Sequence, residues 1–222
     1  MKTYEFRELF KDVEFSRDDT VLDIGCGTGW QTVLIGRKCG KIIGIDIFDK
    51  DLAIANFINE RMRGRANCEI RKTRIEDAGF ADGFFDKVLS ICVIEHIPNY
   101  TEVLQEAYRT LKKGGRLIIT VDSLGNIDDA GARERHRKEY AVEKYFTREE
   151  LESLLKKTGF RDIEVYPIFK SNYAVELFLK RLDSSVRYGF INSLAQEYKL
   201  EREERKCRNA KTGVFLAAKC RK

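Results

Sequence analysis

Proline is scarce in this chain of 222 residues: there are two, Pro98 and Pro167, so no stiff proline-rich linker divides it. Nowhere do apolar residues run for the roughly 20 positions that a membrane span requires. The opening "MKTYEFRELFKDVEF" carries too many charges for a secretory signal. A cytoplasmic protein without a membrane partner is the expectation. None of the cysteines (Cys26, Cys39, Cys68, Cys92, Cys207, Cys220) falls in a C-x-x-C pair, and several interrupt apolar runs. That argues against a zinc or disulfide framework and for reduced, mostly buried thiols, with no metal site. Internal repeats and low-complexity segments are absent as well.

Apolar residues make up 43% and charged residues 35% of the chain, the balance of a soluble globular protein. The length suits one α/β domain with a full core better than two cramped ones. Charge is placed unevenly: between Lys199 and Lys222 nine basic residues face three acidic ones, which accounts for the whole net charge of +5. That tail reads either as a phosphate-seeking patch or as a solvated helix face followed by a basic chain end.

Hydrophobic periodicity alternates strands with helices. Short β-branched runs occur at "TVLDIG" (20–25), "KIIGID" (41–46), "CEIRKT" (68–73), "DKVLSIC" (86–92) and "RLIITVD" (116–122). Helical patterns lie near 29–39, 50–63 and 100–113, the last ending at "KKGG", where paired glycines supply a left-handed cap. Such alternation makes a parallel sheet with helices on both faces. Residues 123–146 form a charged connection long enough to be a lid. Thr147 with Glu150 predicts a capping box at the head of "REELESLLKKTGF", which stops at Gly159. A strand "RDIEVYPI", a mainly helical segment from about 172 to 206 and a closing strand "TGVFLAAKC" complete the chain. Residues 1–222 thus read as a single domain with an N-terminal helical cap (1–18), the lid (123–146) and a helical insertion between the last two strands (170–210).

The stretch "VLDIGCGTGW" (21–30) places Gly25, Gly27 and Gly29 at every second position after a strand, where backbone can turn tightly and approach a ligand, with helix N–H groups beyond. Asp46, ending the second strand, is placed to accept from two ribose hydroxyls. That much fits any adenosine-bearing cofactor at the carboxyl edge of a parallel sheet. The dinucleotide fingerprint is G-x-G-x-x-G, whereas these glycines run G-x-G-x-G behind an acid, Asp23. A carboxylate repels a pyrophosphate and welcomes a cationic amino group, which disfavours an NAD-dependent oxidoreductase.

"VLDIGCGTG" with "GIDI", followed by "FFDKVLSICVIEHI" and "EAYRTLKKGGRLIIT", closely resembles the class I methyltransferases that use S-adenosylmethionine, in their small-molecule branch. The resemblance covers roughly residues 20–122; "YFTREELESLLKKTGF" is only loosely similar. It implies a Rossmann-like, doubly wound, mostly parallel α/β sheet of seven strands with an antiparallel last strand. It implies S-adenosylmethionine held by Gly25, Cys26, Gly27 and Gly29 along methionine and ribose, Asp23 near the amino group, Asp46 on the ribose and Ile47 against the adenine. The family's acidic adenine ligand falls at Arg74, a departure; the Ile75 backbone N–H and the Glu76 or Asp77 carboxylate are the substitutes. Ile91 would offer its carbonyl to the methionine amino group. A spermidine synthase lacks support, because no polyamine-binding acidic pair is evident.

Methyl transfer from a sulfonium needs alignment and exclusion of water more than covalent help, so catalytic residues leave little trace. After the fourth strand the chain has "SICVIEHIP" and not the [N/D]-P-P-[Y/F/W] of enzymes that methylate nucleic-acid amino groups, which argues against nucleic acid and for a small-molecule acceptor. His96 is the candidate catalytic residue there, as a base or as structural support for the pocket. His136, Tyr140 and Tyr145 lie in the lid. Tyr173, Phe178, Tyr188, Phe190 and Tyr198 give the insertion an aromatic face that would roof the acceptor pocket, join two copies in a homodimer, or pack on the sheet edge. The alternatives are an RNA or protein methyltransferase using the basic tail and a non-catalytic S-adenosylmethionine-binding protein.

Overall fold

Strand residues alternate between two cores, and that alternation builds the sheet. Leu22 and Ile24, Ile43 and Ile45, and Leu117, Ile119 and Val121 point to one face, while Val21, Ile42, Leu89 and Ile118 point to the other. Each face needs a helical cover. The computed structural model describes residues 1–62, 64, 66–183 and 190–222. Its order is α1 (Lys2–Phe10), β1 (Thr20–Ile24), α2 (Trp30–Gly36), β2 (Lys41–Asp46), α3 (Asp49–Arg61), β3 (Cys68–Lys72) and β4 (Phe85–Ile91). After a 3-10 turn (Ile94–His96) come α4 (Tyr100–Thr110), β5 (Leu111–Asp122), α5 (Ala130–Tyr140), α6 (Arg148–Thr158), β6 (Arg161–Ile168), α7 (Asn172–Asp183), α8 (Phe190–Lys206) and β7 (Phe215–Arg221).

The seven strands lie in the order β3-β2-β1-β4-β5-β7-β6. All pairs are parallel except those of β7, which runs against both β5 and β6. Helices α4 and α6 cover one face; α1, α2, α5, α7 and α8 contribute to the other. The chain starts β1 in mid-sheet, goes outward through β2 and β3, and returns at β4. The crevice above the adjacent β1 and β4 is therefore the place where ligands collect in open parallel sheets.

Two expectations need correction. The helix predicted over 100–113 ends at Thr110, whose hydroxyl donates back to the Glu106 carbonyl at 2.8 Å. Leu111 then goes extended and buries completely as the partner of Phe85 in β4, so that the "KKGG" glycines sit within β5; Gly114, at φ 78°, forms an irregularity there and not a helix cap. Burial of one leucine outweighs another turn of exposed lysines. The connection 123–146 is not a simple loop, since it contains α5, capped by Asp129 accepting from the Ala132 N–H at 2.9 Å. Its buried positions are Ala132 and His136, a stripe too narrow to register in so charged a sequence.

Other expectations hold. The capping box at Thr147 is formed, with Thr147 Oγ1 accepting from the Glu150 N–H at 3.2 Å and Glu150 Oε2 from the Thr147 N–H at 2.9 Å. Tyr173 and Phe178 of the insertion pack on the sheet core, whereas Tyr198 is exposed. Tyr188 and the side chain of Phe190 lie outside the described residues. Much of the tail's positive charge is taken up within the fold: Arg205 pairs with Glu201, Lys206 with Glu203 and Lys219 with Asp12.

Phe85 is fully buried between the rings of Phe80 and Phe84, at 4.9 Å from each. Phe85→Ala is expected to destabilise the protein by about 3–5 kcal/mol, and Thr147→Ala by about 1 kcal/mol. Urea denaturation of the two variants checks the ranking.

Candidate functional site

The glycine turn follows directly from β1. The N–H groups of Gly25 and Cys26 both donate to the Ile45 carbonyl, at 2.8 and 3.0 Å, and so tie the turn to the end of β2. Gly25, Gly27 and Gly29 have φ of 69°, 50° and 72°, the left-handed region that glycine occupies at little cost. Space separates their roles. A Cβ on Gly25 would stand 2.4 Å from Val93 and one on Gly29 2.8 Å from Ala55, whereas one on Gly27 would meet nothing within 4 Å. Gly25 and Gly29 thus admit neighbouring elements, and Gly27 faces open space.

Asp46 closes the turn. One carboxylate oxygen accepts from the Gly27 N–H at 2.8 Å and the other from Ile47 and Phe48 at 2.7 and 3.0 Å. Asp23 lies below, buried, and accepts from the Thr32 hydroxyl at 2.6 Å. Burial pushes its carboxyl up to about 7 and the charge of Asp46 adds to this, against the pull of the Thr32 hydrogen bond. Thr32 is a site residue that the sequence did not single out; its place in the first turn of α2, nine residues after Asp23, was the available signal.

The remaining predicted residues sort by exposure. Ile47 and Phe48 present apolar surface beside the turn, 44% and 63% exposed. Cys26 sits half-buried within the turn, its thiol pushed up by burial. Ile75 points into the core, which leaves only its backbone for a ligand, and Glu76 accepts from the Asn99 amide at 3.1 Å. Ile91 ends β4, half-buried, beside Cys92, which takes a positive φ of 53° while its N–H donates to the Thr120 carbonyl at 3.0 Å. Val93 of the same loop is the residue that abuts Gly25.

His96 has a half-exposed side chain, and its buried Nδ1 has no hydrogen-bond partner. Burial lowers its pKa, so it is neutral near pH 7. His136, in α5, is buried; Tyr145 Oη lies 3.1 Å from its Nδ1 and Asp122 3.7 Å from its Nε2. Burial holds its pKa down at about 4, with the charge of His96 contributing. His136, Tyr140 and Tyr145 of the 123–146 segment are thus brought together, and against the end of β5.

A set of buried acids escaped the sequence. Glu5 of α1, Glu95 of the 3-10 turn and Asp122 are all buried at the ends of β4 and β5. Glu5 accepts from Thr120 at 2.9 Å and from the Cys92 thiol at 3.5 Å. Burial raises all three carboxyls, and their mutual charges add to it for Glu95 and Asp122. The signal for Glu5 was its place on the stripe of α1 that also buries Tyr4 and Leu9. An open cleft of about 750 Å³ lies at the opposite ends of β4 and β5, lined by already paired charges such as Lys87 with Asp19 and Lys112 with Asp86.

Part of the chain is similar to known proteins. Residues 22–119 match the family described as "Methyltransferase domain". An arsenite methyltransferase of Aquipseudomonas alcaligenes is 40% identical over 110 residues, 45% of this chain and 32% of that protein. The O-methyltransferase resE of Aspergillus sclerotiorum is 29% identical over 79% of this chain and 67% of its own. The chain thus spans between about a third and two thirds of these relatives. A solved structure of Haemonchus contortus phosphoethanolamine N-methyltransferase 2 in complex with S-adenosyl-L-methionine superposes with a TM-score of 0.70 at 20% identity, over 96% of this chain and 51% of that one.

The two glycines give a contrast. Gly27→Ala is expected to cost only the backbone strain of a left-handed alanine, roughly 1–2 kcal/mol. Gly25→Ala adds the collision with Val93 and lowers the urea midpoint further; equal losses for the two would contradict the packing just described.

Proposed function

We propose, from the match of residues 22–119 to a methyltransferase family, that the chain moves a methyl group from S-adenosylmethionine to an oxygen, nitrogen or carbon atom of a small-molecule acceptor. The observation that carries the reading is the turn itself: Gly27 faces open space between a carboxylate built into the end of β2 and a second one buried under β1. In this reading Asp46, whose oxygens are oriented by three backbone N–H groups, accepts from the ribose hydroxyls. Ile47 and Phe48 lie against the adenine, with the Ile75 N–H and Glu76 at its polar edge. Gly25, Cys26, Gly27 and Gly29 follow the ribose and methionine, and Asp23 with the Ile91 carbonyl meets the amino group. When bound, S-adenosylmethionine supplies an electrophilic methyl: the acceptor's lone pair forms the new bond as the carbon–sulfur bond breaks and its electrons return to sulfur.

The protein's part is alignment and exclusion of water. The loop 92–96, α1 and α5 close around the ends of β4 and β5, so the 123–146 segment serves as a fixed cover over the acceptor. His96, its pKa lowered by burial, supports the loop beside Glu95. Arsenite, an O-methylated product and phosphoethanolamine among the relatives' names support a small acceptor without choosing among them.

Asp46→Ala is expected to weaken binding of S-adenosylhomocysteine by roughly 30-fold, the factor for about 2 kcal/mol of hydrogen bonds to a charged group; calorimetry showing no change would remove the ribose from Asp46. Asp23 adds a pH signature. Because its carboxyl is protonated below about 7 in the empty site and the ligand's cationic amino group favours the ionised form, affinity falls as pH drops through that value. It does so by at most about tenfold per pH unit, and the slope vanishes in Asp23→Asn. Stability of the unliganded protein runs the other way. The folded carboxyl keeps a proton that the unfolded chain has released, so this group favours the fold at low pH, and that contribution fades as pH rises through about 7. Thermal midpoints of the wild type and Asp23→Asn across pH 5 to 8.5 on the order of half-unit steps display the difference.

A further inference from the structure

Glu5, Glu95 and Asp122 form a cluster of buried carboxyls that the cofactor does not use. Their place at the ends of β4 and β5, next to the Val93 loop that abuts Gly25, is where an acceptor would stand. A Glu95 carboxylate oxygen, an Asp122 carboxylate oxygen and the Cys92 thiol lie within 4.8 Å of one another. Among the ion pairs of the described residues, none gives these three carboxyls a lysine or arginine; the nearest cationic candidates are His136, 3.7 Å from Asp122, and His96, 4.0 Å from Glu95. Both imidazoles are held neutral by burial. Glu95 Oε1 accepts from the Asp122 N–H at 3.2 Å, yet Oε2, on a residue with 0% exposure, has no hydrogen-bond partner. A buried carboxyl oxygen without a hydrogen-bond partner is costly, and the missing partner is the independent sign that something binds here.

Aromatic rings surround His136, which lies 3.7 Å from Asp122. The His136 ring lies 4.8 Å from Tyr140, 5.1 Å from Phe178 and 6.0 Å from Tyr145. Tyr140 is exposed and Cys92, Val93 and His96 are half-buried. Carboxylates flanked by electron-rich rings are the surroundings that recognise an alkylammonium. A divalent metal ion fits less well, because burial and the adjacent acids keep the Cys92 thiol protonated and the set mixes a soft donor with hard ones.

We propose that this pocket takes the methyl acceptor as an amine, its ammonium held by Glu95 and Asp122, one of which removes the proton. The proposal rests on the methyl-transfer reading above. An ammonium nitrogen has no lone pair to give. Transfer of its proton breaks the N–H bond, forms an O–H bond on the carboxylate and leaves the electron pair on nitrogen as a neutral amine ready for displacement. Burial and mutual repulsion make these carboxylates stronger bases than exposed ones, which suits them to that transfer.

The test uses the full chain saturated with S-adenosylhomocysteine and follows its thermal midpoint as ethylamine or 2-phenylethylamine is added. Ethanol and 2-phenylethanol serve as uncharged isosteres, at ionic strength matched with KCl. At least one amine is expected to raise the midpoint saturably while its alcohol does not, and the apparent affinity is expected to fall about tenfold or more in Glu95→Gln and in Asp122→Asn. Calorimetric binding of S-adenosylhomocysteine by each variant establishes that it is folded. No rise with either amine in protein that binds S-adenosylhomocysteine overturns the amine assignment and leaves the cofactor reading standing. An equal rise with the alcohol, undiminished affinity in both variants, or a rise produced by MgCl2 or ZnCl2 in place of the amine overturns it in the same way. Failure of the wild type to bind S-adenosylhomocysteine overturns the methyl-transfer reading, and this proposal with it.

Discussion

The hydrogen bonds from Gly25 and Cys26 to the Ile45 carbonyl, and from Gly27 to the Asp46 carboxylate, fasten the end of β1 to the end of β2 at the one edge of the sheet where both are free. Three donors that would otherwise face solvent are satisfied across two strands, which is possible only because the glycines reach positive φ. The left-handed turn then feeds α2 at Gly29, and α2 brings Thr32 over Asp23. Shifting this junction would displace a carboxylate, a helix start and the Val93 contact together.

How far the sequence revealed this depends on the range of each interaction. β6 is legible to the residue, because "RDIEVYPI" is an apolar, β-branched run that follows the Gly159 cap. The Thr147 box is legible because both partners lie within one turn. The boundary at Thr110 was not, since the competing term is burial of Leu111 against Phe85, a partner from another strand. α5 was hidden because its buried stripe is two residues wide, and one of them is a histidine.

The same distinction divides the site. Asp23, the glycines and Asp46 fall within 24 residues in a fixed order, so a local pattern identifies them. The acids at the other end of the crevice come from α1, the 3-10 turn and β5, and nothing in the sequence near Glu5 announces Thr120, which lies 115 residues away. The glycine turn with its two carboxylates is written in one supersecondary unit, and the acidic cluster is assembled from across the chain. Buried carboxyls at both ends are maintained by their surroundings against the pull of solvation, a cost that sites of chemistry commonly carry.

The reach of Glu5 also bears on the order in which the protein is completed. α1 lies ahead of the sheet in sequence, but its hydrogen-bond partner Thr120 belongs to β5 and its packing partner Leu200 to α8, both far later in the chain. Contacts so distant in sequence form only after the intervening sheet has met its loop-closure entropy. The glycine turn can therefore be native before the acidic cluster is assembled.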